Sequence, residues 1–528
     1  MWGTVQEPCD ETVIRSGPET AGCPKVRGRW VLAATILASS MAFIDGTVVN
    51  VALPALQTNL NATAIDVQWV VEAYALFLSA LLLVGGSLGD HYGRRRIFLI
   101  GVALFALASA ACGFAANVHQ LILARAVQGL GAALLVPGSL AIISNTFSEE
   151  QRGKAIGTWS GFSAITAAIG PVMGGWLIEH VSWRAVFFIN LPIALIVIAI
   201  SLRHITENKE KESSKVDWLG AILAALGLGC LVYGLIESPR LGFTDTTVIG
   251  MLIAAAVLLI LFLLLEARLS HPMLPLNLFR SRTFSGTNLL TLCLYAALGG
   301  TLFFLPLNLI QVQHYPPTVA GAALLPFILL MSLLSRWSGG LIERYGARLP
   351  LIVGPLIAAC GYGLFMLPGV GGSYWHGFFP PIVILGLGMA VSVAPLTTAV
   401  MNSVPQSRAG IASGVNNAVA RSASLLAIAV LGIVMLQVFT HEIDRRITDW
   451  KLPESAAQSL RSQRTRLAAA VLPNDHDLPA QQLMHRAVEE SFISGFRIVM
   501  AIGAALALAG AITALLLIKE RRHESSPA

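Results

Sequence analysis

Charge is what this sequence has least of. Asp, Glu, Lys and Arg make up 12% of its 528 residues, where a soluble domain carries about 25%. With 55% hydrophobic residues, its apolar stretches are too continuous to be buried in several soluble domains. A net charge of +6 would suit nucleic acid if it were gathered on one face. The basic residues are instead scattered through short loops between apolar runs, which argues against that partner and marks membrane topology. There is no His cluster, no nucleophile beside a base and no phosphate loop, and the loops are too short for a soluble catalytic domain. An enzyme is therefore not expected, and neither is a cofactor. Cys9, Cys23, Cys112, Cys230, Cys293 and Cys360 show neither metal-ligand spacing nor a disulfide framework. No metal site is expected, and the cysteines read as small hydrophobes. Nor is a cleavable leader expected. Residues 1–29 hold Arg15, Lys25, Arg27 and Arg29 but no apolar segment of signal-peptide length, and read as a cytoplasmic tail.

What is abundant is apolar sequence in lengths that cross a bilayer. A helix needs about 20 apolar residues to span a core of roughly 30 Å. Fourteen such runs occur, at 30–53, 67–88, 97–116, 121–147, 156–178, 186–202, 218–236, 248–265, 284–310, 318–342, 350–366, 378–399, 410–439 and 492–518. The loops between them alternate in charge. One set holds Arg94, Arg95 and Arg96; Arg152 and Lys154; Lys209, Lys211 and Lys215; Arg280 and Arg282; Arg344 and Arg348; and Arg408. The other set (59–66, 117–120, 311–317 and 369–377) has no Lys or Arg. The positive-inside rule then puts both termini in the cytoplasm, and an even helix count agrees. Residues 440–490 fall outside by parity despite seven basic residues, balanced by eight acidic ones; their Pro-punctuated sequence predicts one or two short surface helices. The expected organisation is a tail (1–29), a six-helix half (30–202), linkers with inserted helices seven and eight (203–283), a second six-helix half (284–518) and a cytoplasmic tail (519–528).

The two halves share a repeat. GGSLGDHYGRRR follows the second run, and SGGLIERYGARL follows the second run of the later group. Aligned on Tyr-Gly, Gly86 matches Gly339, Asp90 matches Glu343, Gly93 matches Gly346 and Arg95 matches Arg348. Paired six-helix halves are a transporter signature, with the substrate site near the midplane between them. Helix one carries FIDGTVVNVALP around Asp45, helix four carries RAVQGLGAA from Arg125 through Gln128, and helix five carries Gly161 and then GPVMGG, which is Gly170, Pro171, Gly174 and Gly175 among others. Together with Gly86, Asp90, Gly93, Arg94 and Arg95, these motifs resemble the fourteen-helix drug:proton antiporter branch of the major facilitator superfamily, over nearly the whole chain. The resemblance implies an all-α polytopic membrane protein with two six-helix halves and two inserted helices. It implies that Asp90 docks on a helix N-terminus of the other half while the arginines hold a cytoplasmic gate. It also implies that the helix-five motif marks exporters. Gly170 and Gly174 permit close helix approach, and Pro171 removes a backbone donor and kinks the helix.

Ionisable groups inside membrane helices are functional candidates, because each costs free energy there. From a rise of about 1.5 Å per residue, Asp45, Glu72 and Arg125 lie roughly 8, 9 and 6 Å below the outer edge of the core. Two carboxylates and a guanidinium at one depth suggest a proton or substrate coupling site. Arg336, Arg421 and Arg497 are further candidates. Arg421 follows Asn416 and Asn417, which resembles the family's helix-thirteen pattern, but SASLLAI replaces the glycines that usually follow.

The expected function is export of small, lipophilic or amphipathic molecules in exchange for protons, by alternating access. The alternatives are a proton-coupled importer, against which the helix-five motif argues, and a transport-inactive sensor, against which Asp45 and Asp90 argue. The partners expected are the lipid bilayer, protons and a small-molecule substrate, with room for an envelope adaptor protein. Asn61-Ala-Thr63 fits a glycosylation acceptor, but the wording of helix one resembles bacterial chains, and the expected location is a bacterial inner membrane. Topology is tested by single-cysteine labelling. Cysteines placed in 94–96 and 207–215 should be protected from an impermeant reagent in intact cells, and those in 371–376 should react. Labelling at Ser213 would overturn the arrangement.

Overall fold

Short polar residues at the loop ends start five of the described helices. The computed structural model describes residues 24–207, 217–269, 272–405, 408–472 and 478–518. Within them, the Thr63 hydroxyl accepts from the backbone N–H of Asp66 while the Asp66 carboxylate accepts from Thr63, a reciprocal cap. Asn117, Asp217, Asp245 and Ser281 open later helices by accepting from backbone N–H groups. The helices so delimited are α1 (Pro24–Asn59), α2 (Ala64–Tyr92), α3 (Arg94–Phe114), α4 (Val118–Thr146), α5 (Glu149–His180), α6 (Asn190–His204), α7 (Trp218–Leu241) and α8 (Thr246–Glu266). The second series is α9 (Arg282–Leu307), α10 (Leu325–Gly339), α11 (Arg348–Leu364), α12 (Phe379–Asn402), α13 (Ala409–Asp449) and α14 (Leu478–Leu517). A one-turn helix, Ala185–Phe188, leads into α6, and Pro317–Ala323 leads into α10. Thirteen spans among the described residues are long and apolar enough to cross a membrane, and α11 is a shorter apolar helix. Helices satisfy every internal backbone group within one segment, which is why an apolar solvent selects them.

The inserted pair lies beside the two halves. Ile65 and Leu76 of α2, Val232 and Ile236 of α7, and Leu425 and Ala429 of α13 form one apolar cluster, so α7 rides along the seam where the halves meet. Trp69 donates to Glu237 of α7 at 3.0 Å. Only 11% of the membrane-crossing stretch of α8 is buried, which leaves its apolar surface for lipid.

The two repeats fold alike in their backbones. Gly93 and Gly346 both take positive φ, +112° and +72°, where a β-carbon would be strained. Beyond each glycine, the matched arginines do the same job. Arg95 donates to the Leu202 carbonyl at 3.0 Å and Arg348 donates to the Leu515 carbonyl at 2.6 Å. Leu202 and Leu515 lie in the last turns of α6 and α14, so each arginine places its charge on the negative end of the sixth helix of its own half. The side chains of Glu343 and Arg336 lie outside the described residues, as do Lys209, Lys211, Lys215 and the tails 1–23 and 519–528.

Among the described residues, hydrogen bonds between the halves sit at or near the end opposite Arg94–Arg96. Glu179 accepts from the Thr318 hydroxyl at 2.6 Å, and Gln311 donates to Gln57 at 3.0 Å. Gln57 donates in turn to the Arg466 carbonyl at 2.9 Å, Arg466 bonds the Asn61 side chain, and Gln68 donates to the Ile428 carbonyl at 3.3 Å. The helix-five motif serves this closure. Gly170 and Gly174 seat α5 on Thr47 and Val48 of α1, while Pro171 and Gly175 face Gly321, Pro317 and Thr318 of the other half. Toward the basic end, a β-carbon at Gly157, Gly161 or Gly339 would meet nothing within 4 Å. The halves therefore touch at the far end and part toward the basic end.

Residues 440–490 are more helical than expected. α13 runs on to Asp449 and α14 begins at Leu478, with Glu454–Gln463 and Arg464–Ala469 as short helices between. Ion pairs one turn apart, Glu442–Arg446 at 2.5 Å and Arg486–Glu490 at 2.7 Å, support helix beyond the apolar stretch. Hydropathy alone does not register them. Closure of the far end is testable with the pair Glu179→Cys/Thr318→Cys, which should form an oxidative crosslink readily. A β-carbon at Gly175 would lie 2.7 Å from Thr318 Cα. Overpacking of this kind costs about 1–3 kcal/mol, so Gly175→Val in that background should lower crosslinking severalfold or more. Unchanged crosslinking would show that the halves close without this contact.

Candidate functional site

Helical spacing puts two polar side chains of α4 on one face. Arg125 and Gln128 are three residues apart, and that face meets Asp45 of α1. Arg125 donates from Nη1 to Asp45 Oδ2 at 2.5 Å and to Gln128 Oε1 at 2.8 Å. Gln128 donates from Nε2 to Asp45 Oδ1 at 2.8 Å, so both carboxylate oxygens are engaged. Arg125 Nε donates to the Val70 carbonyl of α2 at 3.1 Å, and its guanidinium lies 4.2 Å from the centre of the Tyr74 ring. The Tyr74 hydroxyl reaches the Ala42 carbonyl of α1 at 3.5 Å. Asp45 and Gln128 are fully buried and Arg125 is 1% exposed. Two charges removed from water this completely are tolerable only as a well-bonded neutral unit.

Glu72 is separate. It is fully buried, and among the described residues neither of its carboxylate oxygens has a hydrogen-bond partner. It shares a stripe of α2 with Ile65, Trp69 and Leu76, the stripe that packs toward α7 and α13. Tyr74 stands only two residues on, but two residues turn a helix by roughly 200°. Residue count puts Asp45, Glu72 and Arg125 at similar heights, but Glu72 does not face the pair that Asp45 and Arg125 form. Tyr74 and the Val70 carbonyl belong to the site although neither carries a charge that would flag it, and Gln128 is as central as either ionic partner.

A cavity of about 410 Å³ lies between the halves beside this cluster. Gly46, Asn50, Tyr74, Ser79 and Arg125 line it from the first half, and Tyr295, Phe303, Thr397, Asn416, Asn417 and Arg421 from the second. Asn416 is tied to α9, donating to Asn288 Oδ1 at 3.2 Å and to the Thr291 hydroxyl at 2.6 Å. Asn417 donates to the Ser413 carbonyl at 3.2 Å. Arg497 lies elsewhere, at the far end, donating to the Pro368 carbonyl at 3.3 Å.

At the basic end, Asp90 is held within its own repeat. Arg94, one turn on, donates to it from Nε at 2.8 Å. Among the described residues it makes no hydrogen bond to the second half; the docking on a helix end expected there belongs to the state in which this end is closed. The physical reason is that the halves are parted at this end. Glu207, by contrast, does sit on the N-terminus of α3, accepting from the backbone N–H groups of Arg95 and Arg96 at 3.2 and 3.1 Å. Gly86 stands in ordinary contact with Pro137, 3.7 Å from where its β-carbon would be.

Residues 35–428 match the family described as Major Facilitator Superfamily. The chain is 34% identical over 513 residues to the Tetracenomycin C resistance and export protein of Streptomyces glaucescens, covering 95% of this chain and 94% of that one. It is 35% identical over 492 residues to the Multidrug resistance protein Stp of Mycobacterium tuberculosis, covering 90% and 89%. Among solved structures, a bacterial homolog of the human lysosomal transporter Spinster, inward-facing and unoccupied, superposes with a TM-score of 0.63 at 18% identity, covering 93% and 98%. The inward-open xylose transporter XylE from E. coli gives 0.56 at 13% identity, covering 94% and 97%.

Removing one member of a buried ion pair costs about 3–5 kcal/mol, because the other is left uncompensated. Arg125→Gln should therefore lower the thermal midpoint of the purified protein in detergent markedly. Adding Asp45→Asn should recover most of the loss, since the pair then becomes two neutral amides. A double variant as unstable as Arg125→Gln alone would show that Arg125 acts through Val70 and Tyr74 rather than through Asp45.

Proposed function

This chain belongs to the Major Facilitator Superfamily, and on that premise we propose that it exports small lipophilic or amphipathic molecules in exchange for protons, with Asp45 as the proton carrier. The observation that carries the reading is the neutral Asp45–Arg125–Gln128 cluster, sealed in one half yet bordering the inter-half cavity through Arg125. Export is supported by the relatives, whose names speak of resistance and export and which match over nine-tenths of the chain.

The basic end faces the cytoplasm in this proposal, as the loop charges require. The structure then corresponds to the inward-facing state, with the far end closed by α5 against the entry to α10. Substrate enters the cavity from the cytoplasmic side. Rocking of the halves closes the basic end, where Asp90 and the arginines act, and opens the far end. The antiporter residues of α5 give the closure its smooth surfaces, and the second repeat, with Gly339, Glu343, Gly346 and Arg348, does for its half what the first does for the other.

A proton placed on Asp45 ends its ion pair. Arg125 then keeps the Val70 carbonyl, Gln128, the Tyr74 ring and at most a neutral acceptor on Asp45, and the wall of the cavity gains one uncompensated positive charge. That change at the cavity is how a proton held in one half is felt by a substrate held between the two. The energetics suffice. A proton entering down 100 mV contributes about 2.3 kcal/mol, and each pH unit adds about 1.4. Together these sustain a substrate gradient of several hundredfold.

The assignment is tested by recording substrate-induced proton release for Asp45→Asn and Glu72→Gln in parallel. Asp45→Asn, isosteric but unable to titrate, should abolish release while leaving substrate binding measurable. Glu72→Gln should still release protons. The opposite pattern would make Glu72 the carrier, and normal release by both would place coupling elsewhere.

A further inference from the structure

Two charged side chains line the central cavity among the described residues, and both are arginines. Arg125 is neutralised by Asp45 at 2.5 Å. Arg421 of α13 is half-buried, and among the described residues it has neither a hydrogen-bond nor an ion-pair partner. Among the described residues no carboxylate lines the cavity, so the wall they form carries a net charge of one positive unit.

From this we propose that the cavity takes amphipathic molecules bearing an anionic group, and that Arg421 binds that group. The proposal rests on the export reading and deepens it by naming the class of substrate. A guanidinium presents five donors in a planar fork and cannot shed its charge. Leaving it in a cavity without a counter-charge is costly, and no described residue supplies an acceptor for it. The acceptor is therefore whatever fills the cavity: water when it is empty, and a carboxylate, phenolate or sulfonate when it is loaded.

The surroundings fit a flat apolar body with one anionic tip. Tyr74 from the first half and Tyr295 from the second both lie close enough to interact with Arg421. Leu302, Phe303, Leu425 and Ile428 supply apolar wall beside them. A cationic molecule of the same shape would face Arg421 while Asp45 is already engaged on both oxygens, which disfavours it by repulsion rather than by fit. The membrane potential, negative inside, also favours an outgoing anion.

Two xanthene dyes of similar shape and opposite charge test this directly: fluorescein, anionic at pH 7.5, and rhodamine 123, cationic. Binding of each to the purified full-length protein in detergent is followed by fluorescence anisotropy. Wild type should bind fluorescein at least about tenfold more tightly than rhodamine 123, the worth of one hydrogen bond to a charged group. Arg421→Gln should weaken fluorescein binding by roughly tenfold to a hundredfold and leave rhodamine 123 unchanged or tighter. Arg421→Lys, which keeps the charge and loses the fork, should fall between. A wild type that prefers rhodamine 123, treats the dyes alike or binds neither overturns the proposal, as does an Arg421→Gln variant that loses both dyes by the same factor. The wild-type comparison needs no variant to fold. Proton release with another substrate but no preference for fluorescein would sink the anion site and leave export standing. Preference for fluorescein without proton release by any substrate would do the reverse.

Discussion

A carboxylate buried in a membrane helix must be answered by a cation or by a proton, and in this protein the answer is Arg125. The pair fastens α1 to α4, and the remaining donors and the face of the same guanidinium fasten both to α2 through the Val70 carbonyl and the Tyr74 ring. Three helices of the first half are thus joined at one charged point, and the interaction is strong because the surroundings exclude water. It also sets the electrostatics of the cavity. With Asp45 and Arg125 cancelling, the one net charge on the wall among the described residues is Arg421.

The rest of the architecture lets the two halves rock without disturbing that joint. Several contacts between the halves at the far end use small residues and backbone, Gly175 against Pro317 and Gly321 against Pro171, beside the hydrogen bonds that Glu179 accepts from the Thr318 hydroxyl and backbone N–H. Such contacts can part without stranding a buried charge. Within each half the matched arginines, Arg95 and Arg348, hold the loop to the end of the sixth helix. Each half therefore moves as a unit, and the seam between them is covered on one side by α7. The extended ends of α13 and α14, with the short helices between them, form a cap whose Arg466 reaches Asn61 and whose backbone reaches Gln57 of the first half.

Several of these features were legible before any coordinates. The helix number, the alternation of the loops and the doubled Gly-Asp/Glu-Tyr-Gly-Arg motif follow from apolar run length, loop charge and internal repetition. Each is a property of neighbouring residues along the chain. Relative height along the helices was legible for the same reason, since a helix rises by a fixed step per residue, and Asp45 and Arg125, which that count puts at similar heights, do meet. The helical ends beyond 440 and before 490 escaped notice because ion pairs one turn apart, rather than apolar residues, support them.

The sequence by itself thus determined the fold class, the two halves and the similar heights of Asp45 and Arg125 along their helices. The tertiary structure alone decided which groups at those heights face one another. It turned Glu72 toward α7, brought Gln128 onto the second oxygen of Asp45, recruited the uncharged Tyr74 and the Val70 carbonyl, and left Arg421 facing the cavity alone. It also put Glu207 on the N-terminal end of α3. The physical reason is that position along a helix follows from counting residues, whereas direction across the bundle depends on how each helix is rotated and which neighbour it packs against. Those rotations are set by contacts between residues tens to hundreds of positions apart.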